Sequence, residues 1–272
     1  MRAGGGWTAA LRAARGRWEG IRRSRYLLRS LVIRDLKVKY QRSSLGFLWT
    51  LLNPLLVVVI LTAVFRTVVR IRIEGYWAFL LSGYFVWNTV QHTLLSGSYT
   101  LQEHSSLARS VAFPREVLLF GAALSRLVEF AAEILLVLVV IVAAHHHGFP
   151  PGLLFLPLLI LFQFLIAAGL MMPVAVLSTR FTDVQHALPI LMTALFYLSP
   201  VFYPASMVPD PYRAFYFLNP LAGILTLYQQ TLYEGRIPSP ALLGVVAASS
   251  IVVFLAGYAV FHRSEEACNE LL

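Results

Sequence analysis

The sequence predicts an all-α, polytopic integral membrane protein, and three observations support this fold class. Hydrophobic residues make up 58% of the 272 residues, while charged residues make up only 13%. A soluble domain usually carries about 25% charged residues. The apolar residues also fall into uncharged runs of about 20, the length at which an α-helix crosses a bilayer. We therefore expect one transmembrane domain over residues 18–272, preceded by a disordered basic tail over residues 1–17.

Six apolar segments are expected to be the transmembrane helices of this domain. The first contains Asn53-Pro54, and a proline inside a helix removes one backbone hydrogen bond and favours a kink. The third begins near Ser125, because the eleven residues between Glu133 and His145 are too few to cross a bilayer. The predicted spans cover approximately residues 45–65, 76–101, 125–144, 153–177, 187–203 and 241–261.

A basic amphipathic helix is predicted before the first span, between Trp18 and Tyr40. At about 100° per residue, leucines such as Leu27 and Leu31 fall on one side, while arginines such as Arg22 fall on the other. A basic amphipathic helix of this kind lies in the plane of the membrane surface. An ordinary positively charged flank of the first span is the alternative.

Residues 204–240 differ from the other apolar segments because they hold six prolines and two glycines among many aromatic side chains. They are too apolar for a solvated loop, and they contain too many helix breakers for a complete span. We therefore expect short external helices here, lying at the interface or re-entering the membrane before the last span.

Positive charge is concentrated near the N-terminus. Residues 1–44 contain twelve Lys and Arg and two acidic residues, whereas the rest of the chain contains ten and eleven. With six spans and the N-terminus inside, sixteen Lys and Arg fall in cytoplasmic segments and five in external ones. Because Lys and Arg are enriched in cytoplasmic loops, both termini are expected in the cytoplasm, and this reading needs no nucleic-acid partner. Binding of the basic tail to nucleic acid or anionic lipid is the alternative.

The residue usage also bears on the source and on catalysis. Of the 22 basic residues only Lys37 and Lys39 are lysines, which hints at a GC-rich bacterium and so at a bacterial plasma membrane. A phosphate-binding loop needs a lysine directly after a glycine, and neither lysine has one. If the chain is part of an active pump, we therefore expect ATP and Mg²⁺ on a separate ATPase subunit, and we expect no cofactor on this chain.

Motifs for other chemistry are sparse. The run of histidines at residues 145–147 could bind a metal, but no carboxylate lies nearby in the sequence and metal sites need converging ligands. Neither a His-Glu-x-x-His zinc motif nor a Gly-x-Ser-x-Gly nucleophile elbow occurs. The sequence therefore predicts neither an enzyme nor a metal protein.

Polar and aromatic side chains inside the predicted spans are candidates for a translocation path. Ionisable groups such as Glu129 and Glu133 are unfavourable in a membrane and usually face a cavity or a partner. Local pairing of Arg126 with Glu129 is the alternative, and it accounts for Glu129 better than for Glu133. Aromatic side chains could stack on sugars, but they also gather at membrane interfaces. The candidate path residues are Trp49, Gln91, His92, Glu129, Glu133, Tyr197 and Tyr203.

The segment between the second and third spans, residues 102–116, has the form of a rigid lever. It is short, and Pro114 can begin the next helix, where its missing N–H is not needed. A separate ATPase would act on such a lever at the inner face, and a plain solvated loop is the alternative. The expected docking side chains are apolar Leu107, Val111 and Phe113, with Arg109 and Arg115 as charged ones.

Five short motifs occur in order along the chain, and the similarity to which they belong extends over roughly residues 30–262. They are Leu45-Gly46-Phe47-Leu48-Trp49, Phe113-Pro114-Arg115, Arg180-Phe181-Thr182-Asp183-Val184, Ser199-Pro200-Val201 with Tyr203, and Leu218-Asn219-Pro220-Leu221. Together they resemble the permease subunits of type-2 ABC exporters, in the branch that exports polysaccharide, O-antigen or teichoic-acid chains. Thr182 departs from that family, which often has a basic residue at this position.

The resemblance implies a homodimer that works with two ATPase subunits, and a dimer also fits the small number of spans per chain. It implies that Arg180 and Asp183 join the coupling segment in contacting the ATPase. The implied substrate is a lipid-linked polysaccharide or teichoic acid. It also implies external gate helices with Tyr212, Phe215, Tyr216, Phe217, Asn219 and Tyr228 as candidate gate residues.

Three other functions remain as alternatives. The first is export of drugs or small lipids by a permease of the same superfamily. The second is a membrane enzyme of cell-envelope synthesis such as a glycosyltransferase, which would need carboxylates placed to bind a metal or a sugar donor. The polar loops hold few acidic residues, so this alternative has little support. The third is a passive membrane scaffold.

Overall fold

Helices form nearly all of the regular structure in the computed structural model, which describes residues 19–20, 22–41, 43–110, 113–144 and 150–271. The α-helices of that part are α1 Arg25–Tyr40, α2 Trp49–Thr67, α3 Tyr76–Glu103, α4 Ser105–Ser110, α5 Glu116–Ala144, α6 Leu156–Arg180, α7 Asp183–Tyr197, α8 Asp210–Tyr216, α9 Pro220–Tyr228 and α10 Pro240–Leu271. Short 3₁₀ turns lie at Gly46–Leu48, Pro151–Phe155 and Ala205–Met207, and a π-helical turn lies at Gln229–Tyr233. The all-α class that the sequence predicts is confirmed.

Three of the described helical segments are both long and apolar enough to cross a membrane. They are Gly46–Thr67, Pro151–Arg180 and Pro240–Ser264, which contain α2, α6 and most of α10. Helices α3 and α5 are also long, with 28 and 29 residues, but they carry polar side chains. Membrane-spanning segments are thus supported at three of the six predicted positions, and the other three spans stay predictions.

Helix α7 differs from the fifth span that the sequence predicts at residues 187–203. The helix has 15 residues and ends at Tyr197, after which residues 198–200 form turns. Proline disfavours helical backbone at the residue before it, so Pro200 accounts for the end of the helix. At about 1.5 Å per residue, α7 alone is about 22 Å long and shorter than the bilayer core.

The long helix α3 connects two opposite ends of the bundle, which we call the α4 end and the α8 end. At the α8 end, Tyr76 in the first turn of α3 donates to the carbonyl of Phe202 at 2.6 Å. The last turn of α3 leads directly into α4. Most buried apolar side chains of α3, α5, α6 and α9 form one large core between these ends.

A second apolar cluster lies at the α4 end and includes part of α1. Leu31 is buried there, and a Cβ atom on Gly121 of α5 would lie 3.2 Å from the Leu31 Cβ. Leu27 and Leu28 pack against the same cluster. The predicted leucine face of the N-terminal helix therefore packs on α5, which fixes α1 against the spans rather than leaving it in contact with lipid alone.

Helices α6 and α10 approach each other backbone to backbone at two glycines. A Cβ atom on Gly169 would lie 2.7 Å from the Phe254 Cα atom and from the Val253 carbonyl oxygen. A Cβ atom on Gly257 would overlap the carbonyl group of Gly169. Glycine at both positions allows the close approach that small residues permit between membrane helices.

Gly257→Ala is expected to destabilise the folded permease by about 1–3 kcal/mol, because a backbone group cannot move aside as a side chain can. Thermal unfolding of the purified protein in detergent measures this change. Gly244→Ala in the same helix is the matched control, since a Cβ atom there meets nothing within 4 Å. Equal melting temperatures for the two variants would contradict the close approach of α6 and α10.

Candidate translocation path and coupling surface

A cluster of charged side chains at the α4 end joins α1 to α5. Glu129, on α5, accepts hydrogen bonds through Oε1 from Lys39 Nζ at 2.8 Å and from the Tyr40 hydroxyl at 2.6 Å. Its Oε2 accepts a hydrogen bond from Arg126 Nη1 at 2.8 Å. The Glu129 side chain is only 8% exposed, so these donors compensate for the loss of water around the carboxylate.

Tyr40 extends this cluster to the first predicted span. Its hydroxyl oxygen lies 2.5 Å from Thr50 Oγ1 on α2, and because its proton goes to Glu129, Thr50 is the donor in that bond. The Tyr40 ring also meets Phe47 edge-on, with the ring centroids 5.3 Å apart. One tyrosine thus connects α1, α2 and α5.

The surroundings of Tyr40 keep its hydroxyl group protonated. Burial raises the pKa of the Tyr40 hydroxyl above its usual range, and its hydrogen bond to Glu129 raises this pKa further. Burial also lowers the pKa of Lys39, and Arg126 acts in the same direction, while Glu129 opposes both. Tyr40 therefore remains a hydrogen-bond donor at neutral pH.

A cavity of about 630 Å³ lies between α1, α3 and α5 beside this cluster. It contains charged groups of both signs, and Arg34 on its wall contacts the ring of His104. Its size and its polar wall are those of a hydrated recess rather than of a packed core. Its lining includes Arg34, Asp35, Lys39, Ser96, Tyr99, Glu103, His104, Ser125, Arg126 and Glu129.

Glu133 lies one turn further along α5 and has different surroundings. Its side chain is buried between α5 and α3, where Thr89 Oγ1 donates to Oε2 at 3.4 Å. Within this chain it therefore faces α3. The expectation that Glu133 faces a path or a dimer partner stays a prediction, while the local pairing of Glu129 with Arg126 is present in the structure.

One face of α3 carries polar and aromatic side chains that stay accessible along the bundle. His92 is exposed, as are Tyr99 and Glu103, and Asn88 is half-buried. The spacing of these positions, 88, 92, 99 and 103, places them on one side of a helix. Gln91 lies beside this face and accepts a hydrogen bond from Trp87 Nε1 at 3.0 Å. Sequence reasoning named Gln91 and His92 but missed the others, although the helical spacing was available.

Aromatic side chains form a continuous cluster at the α8 end. The Phe202 ring lies 5.6 Å from Tyr197 and 4.9 Å from Tyr203, measured between centroids. The Tyr216 hydroxyl donates to the Tyr203 hydroxyl at 3.1 Å. Burial is the main cause that raises the pKa of Tyr216, and this hydrogen bond raises the pKa further. Tyr197 and Tyr203 thus lie in one cluster, whereas Trp49 lies at the start of α2, in the helix whose Thr50 bonds Tyr40 at the α4 end. Their role in a path stays a prediction.

The candidate gate residues divide into a surface group and a core residue. Tyr212, Phe215, Tyr216 and Asn219 line an open cavity of about 350 Å³ between α7, α8 and the start of α9. Asn219 caps α9 by accepting from the Leu221 N–H at 3.0 Å and also donates to Ser199 Oγ at 3.0 Å.

The remaining two gate candidates lie elsewhere. Phe217 is half-buried, with its ring edge-on to Tyr216. Tyr228 is fully buried and meets the ring of Phe130 edge-on, so in this structure it belongs to the core. Its side chain offers no surface to a substrate in this conformation.

The predicted coupling segment is only partly available to a partner. Leu107 and Phe113 are half-buried and pack against the same apolar cluster as Leu27 and Leu28. Arg109 is exposed, and Arg115 is half-buried. Pro114 lies against the N-terminal segment, since a Cβ atom on Gly20 would be 3.0 Å from its ring. Val111 lies outside the described residues.

The turn between α6 and α7 forms a second exposed corner at the α4 end. Arg180 and Asp183 are exposed there, and the Phe181 side chain between them is 59% exposed. Within the described ranges, no group of three or more His, Cys, Asp or Glu side chains is placed to hold a metal ion. The histidines at residues 145–147 lie outside those ranges.

Long apolar helices together with an accessible polar face on α3 are features of a multi-pass membrane protein. The model of the ABC-2 type transporter family matches residues 26–233, and the chain belongs to that family. This confirms the resemblance seen in the five motifs. The family is the transmembrane subunit of an ABC transporter and carries no ATPase domain, so this chain is not itself the ATPase and works with one.

Curated relatives are similar along nearly the whole chain. An O-antigen export system permease protein, RfbA, of Myxococcus xanthus is 32% identical over 244 residues, covering 89% of this chain and 94% of the relative. RfbA of Klebsiella pneumoniae is 24% identical over 253 residues, covering 91% and 96%. The polysialic acid transport protein KpsM of Escherichia coli is 25% identical over 245 residues, covering 88% and 93%.

Proposed function

We propose that this chain is the permease of an exporter that moves a lipid-linked cell-surface polysaccharide across the bacterial plasma membrane. The observation that carries the proposal is its similarity, over nearly its full length, to export permeases for O-antigen and polysialic acid. The exposed aromatic side chains of the α8 end add support, because aromatic rings present flat apolar faces on which the apolar faces of sugar rings can stack. A teichoic acid is a second member of the same substrate class.

The proposed topology has six spans, formed by α2, α3, α5, α6, α7 and α10. Sixteen Lys and Arg in the proposed cytoplasmic segments against five outside support cytoplasmic termini and a cytoplasmic α4 end. The turns after α7 and the short helices α8 and α9 then lie at the external side. The break after Tyr197 makes α7 shorter than the other spans, and residues 198–203 complete its crossing.

The proposed path runs between two copies of the chain, because one chain has too few spans to enclose a wide channel. The accessible face of α3 with His92 and Tyr99 lines it, together with the aromatic cluster around Tyr197 and Tyr203. Polar groups along α3 keep the path hydrated, and the α8-end aromatics contact the sugar chain as it leaves. ATPase subunits, which hold ATP and Mg²⁺, act on α4 and on the corner between α6 and α7.

The experiment that tests this function is substrate-stimulated ATP hydrolysis by the permease co-purified with its ATPase subunit in proteoliposomes. Lipid-linked polysaccharide from the source organism is expected to raise the rate of hydrolysis and to appear inside inverted vesicles. The purified permease alone is expected to hydrolyse no ATP. Stimulation by small drugs but not by the glycan lipid would contradict the proposal and favour a drug exporter.

A further inference from the structure

Two glutamine side chains connect three helix ends at the α4 end. Gln185, in the first turn of α7, donates through Nε2 to Gln102 Oε1 at 2.8 Å and to the Ser98 carbonyl at 3.1 Å. Gln102 donates through Nε2 to the Ser178 carbonyl at 2.9 Å. Ser98 and Gln102 lie near the end of α3, and Ser178 lies near the end of α6. A continuous chain of hydrogen bonds therefore joins the ends of α3 and α6 to the start of α7.

The bond from Gln102 to Ser178 satisfies a backbone group that α6 cannot satisfy itself. The last four carbonyls of a helix have no partner in the next turn. The Leu177 carbonyl accepts from the Phe181 N–H at 2.9 Å, and the Ser178 carbonyl accepts from Gln102 instead. Ser178 is fully buried, so loss of this bond would leave its carbonyl away from water.

Helix α7 has few other contacts that fix it to the bundle. Leu188 and Met192 are the buried side chains of this helix, and Phe196 contacts the rings of Tyr84 and Trp87 on α3. Its opposite face, with Ile190 and its neighbours, is exposed. Gln185 is thus the polar attachment at the α4 end of a lightly held helix.

The two exposed corners of the α4 end lie on either side of this attachment. Gln102 is three residues before α4, which carries exposed Arg109, and Gln185 is four residues after exposed Phe181. A displacement of either corner reaches the other through the side-chain amides. In this orientation the amide nitrogen of each glutamine donates to an oxygen of a neighbouring helix end, at distances of 2.8 to 3.1 Å.

We propose that Gln102 and Gln185 form a coupling clamp that moves α7 together with the cytoplasmic ends of α3 and α6 when the ATPase binds nucleotide. The proposal rests on the proposed function, in which α4 and the corner between α6 and α7 receive the ATPase. Both glutamines are positioning residues, since neither needs to touch the substrate. Their side chains transmit the displacement to a helix that borders the path.

The first test reads the movement of α7 directly and does not depend on the exported substrate. The single cysteine, Cys268, is replaced by serine, and Thr193→Cys places one thiol on the exposed face of α7. Labelling of this thiol by a maleimide is followed in the complete permease and ATPase complex with and without ATP. We expect nucleotide to change the labelling rate, and Gln102→Ala or Gln185→Ala to remove that change.

The second test separates coupling from assembly. In the same complex, each alanine variant is expected to retain ATPase co-purification and basal ATP hydrolysis within about twofold, while export falls by about tenfold, the size of a typical coupling effect. Export by the double variant is expected to be no lower than export by either single variant, because the two substitutions break the same chain of hydrogen bonds. His186→Ala, an exposed neighbour on the same turn, is the matched control and should leave export unchanged.

Four results would overturn the clamp. They are absence of a nucleotide effect on labelling in the parent complex, persistence of that effect in the glutamine variants, normal export by those variants, and loss of ATPase binding in parallel with export. Failure of the proposed function looks different. In that case the parent complex would not export polysaccharide at all, while the nucleotide-dependent labelling and its loss in the variants would still be observed.

Discussion

Glu129→Ala is expected to destabilise the junction of α1 and α5 by about 3 kcal/mol, because Lys39 and Arg126 lose the carboxylate that they share. Removal of one partner of a buried ion pair leaves uncompensated charge, and here two cations are left. The value lies at the low end for buried pairs since Lys39 is partly exposed. Tyr40 also loses its acceptor, so the C-terminal end of α1 should be held less firmly against α5.

Two measurements follow this change in the purified permease. Thermal unfolding in detergent reports global stability, and trypsin reports release of α1, which contains Arg34, Lys37 and Lys39. The variant should melt at a lower temperature and should be cleaved faster within α1. Because the same cluster lines the cavity between α1, α3 and α5, we also expect export to be lost.

Glu133→Gln is the matched control, since both carboxylates are buried on α5. Glu133 receives one hydrogen bond, from Thr89 at 3.4 Å, and an amide oxygen can still accept it. Its stability is expected to change by less than about 1 kcal/mol. If Glu133 contributes to the path as predicted, export falls without a change in melting temperature. Equal destabilisation by the two variants would contradict the ion-pair account.

The contrast between these two carboxylates shows how far the sequence could lead. Arg126 and Glu129 are three residues apart on one helix, so their pairing follows from local geometry and could be predicted. Lys39 and Tyr40 lie about ninety residues away in sequence, and their contact with Glu129 depends on how α1 packs on α5. A single sequence does not contain that packing. The long apolar helices could be predicted because a run of apolar residues, like the spacing of Arg126 and Glu129, is a local feature of the sequence.

The apolar side chains of the coupling segment show a feature that the sequence could not predict. Leu107 and Phe113 were assigned to partner docking because an apolar side chain on a short polar segment favours an interface. Whether such a side chain faces a partner or its own chain depends on tertiary packing, and here both pack inward. Tyr228 was assigned to the gate because it follows the segment that resembles the external gate helices of the family, but its side chain is fully buried in the structure.

Phe181→Asp is expected to abolish ATPase co-purification and export while leaving the permease folded. Phe181 is 59% exposed at the corner between α6 and α7, with exposed Arg180 and Asp183 beside it. An exposed aromatic flanked by charges is typical of an interface anchor, and loss of such an anchor commonly weakens binding by 2 kcal/mol or more. Since the side chain contributes little to the core, the melting temperature should not fall.

Two comparisons make this prediction specific. Phe215→Asp changes a phenylalanine at the α8 end that is even more exposed, at 73%, and it should keep the ATPase bound. Phe113→Asp should also lose the ATPase, but with a lower melting temperature, because it places a charge against the apolar cluster around Leu31. Phe181→Asp and Phe113→Asp are therefore distinguished by their melting temperatures, since both are expected to lose the ATPase.

The measurement is the ratio of ATPase to permease after affinity purification, together with the melting temperature of each permease variant. We expect a ratio near zero with an unchanged melting temperature for Phe181→Asp, and a normal ratio for Phe215→Asp. A normal ratio for Phe181→Asp would mean that the ATPase does not use this corner. The exposed part of α4 around Arg109 would then be the next candidate surface for receiving the force of ATP binding.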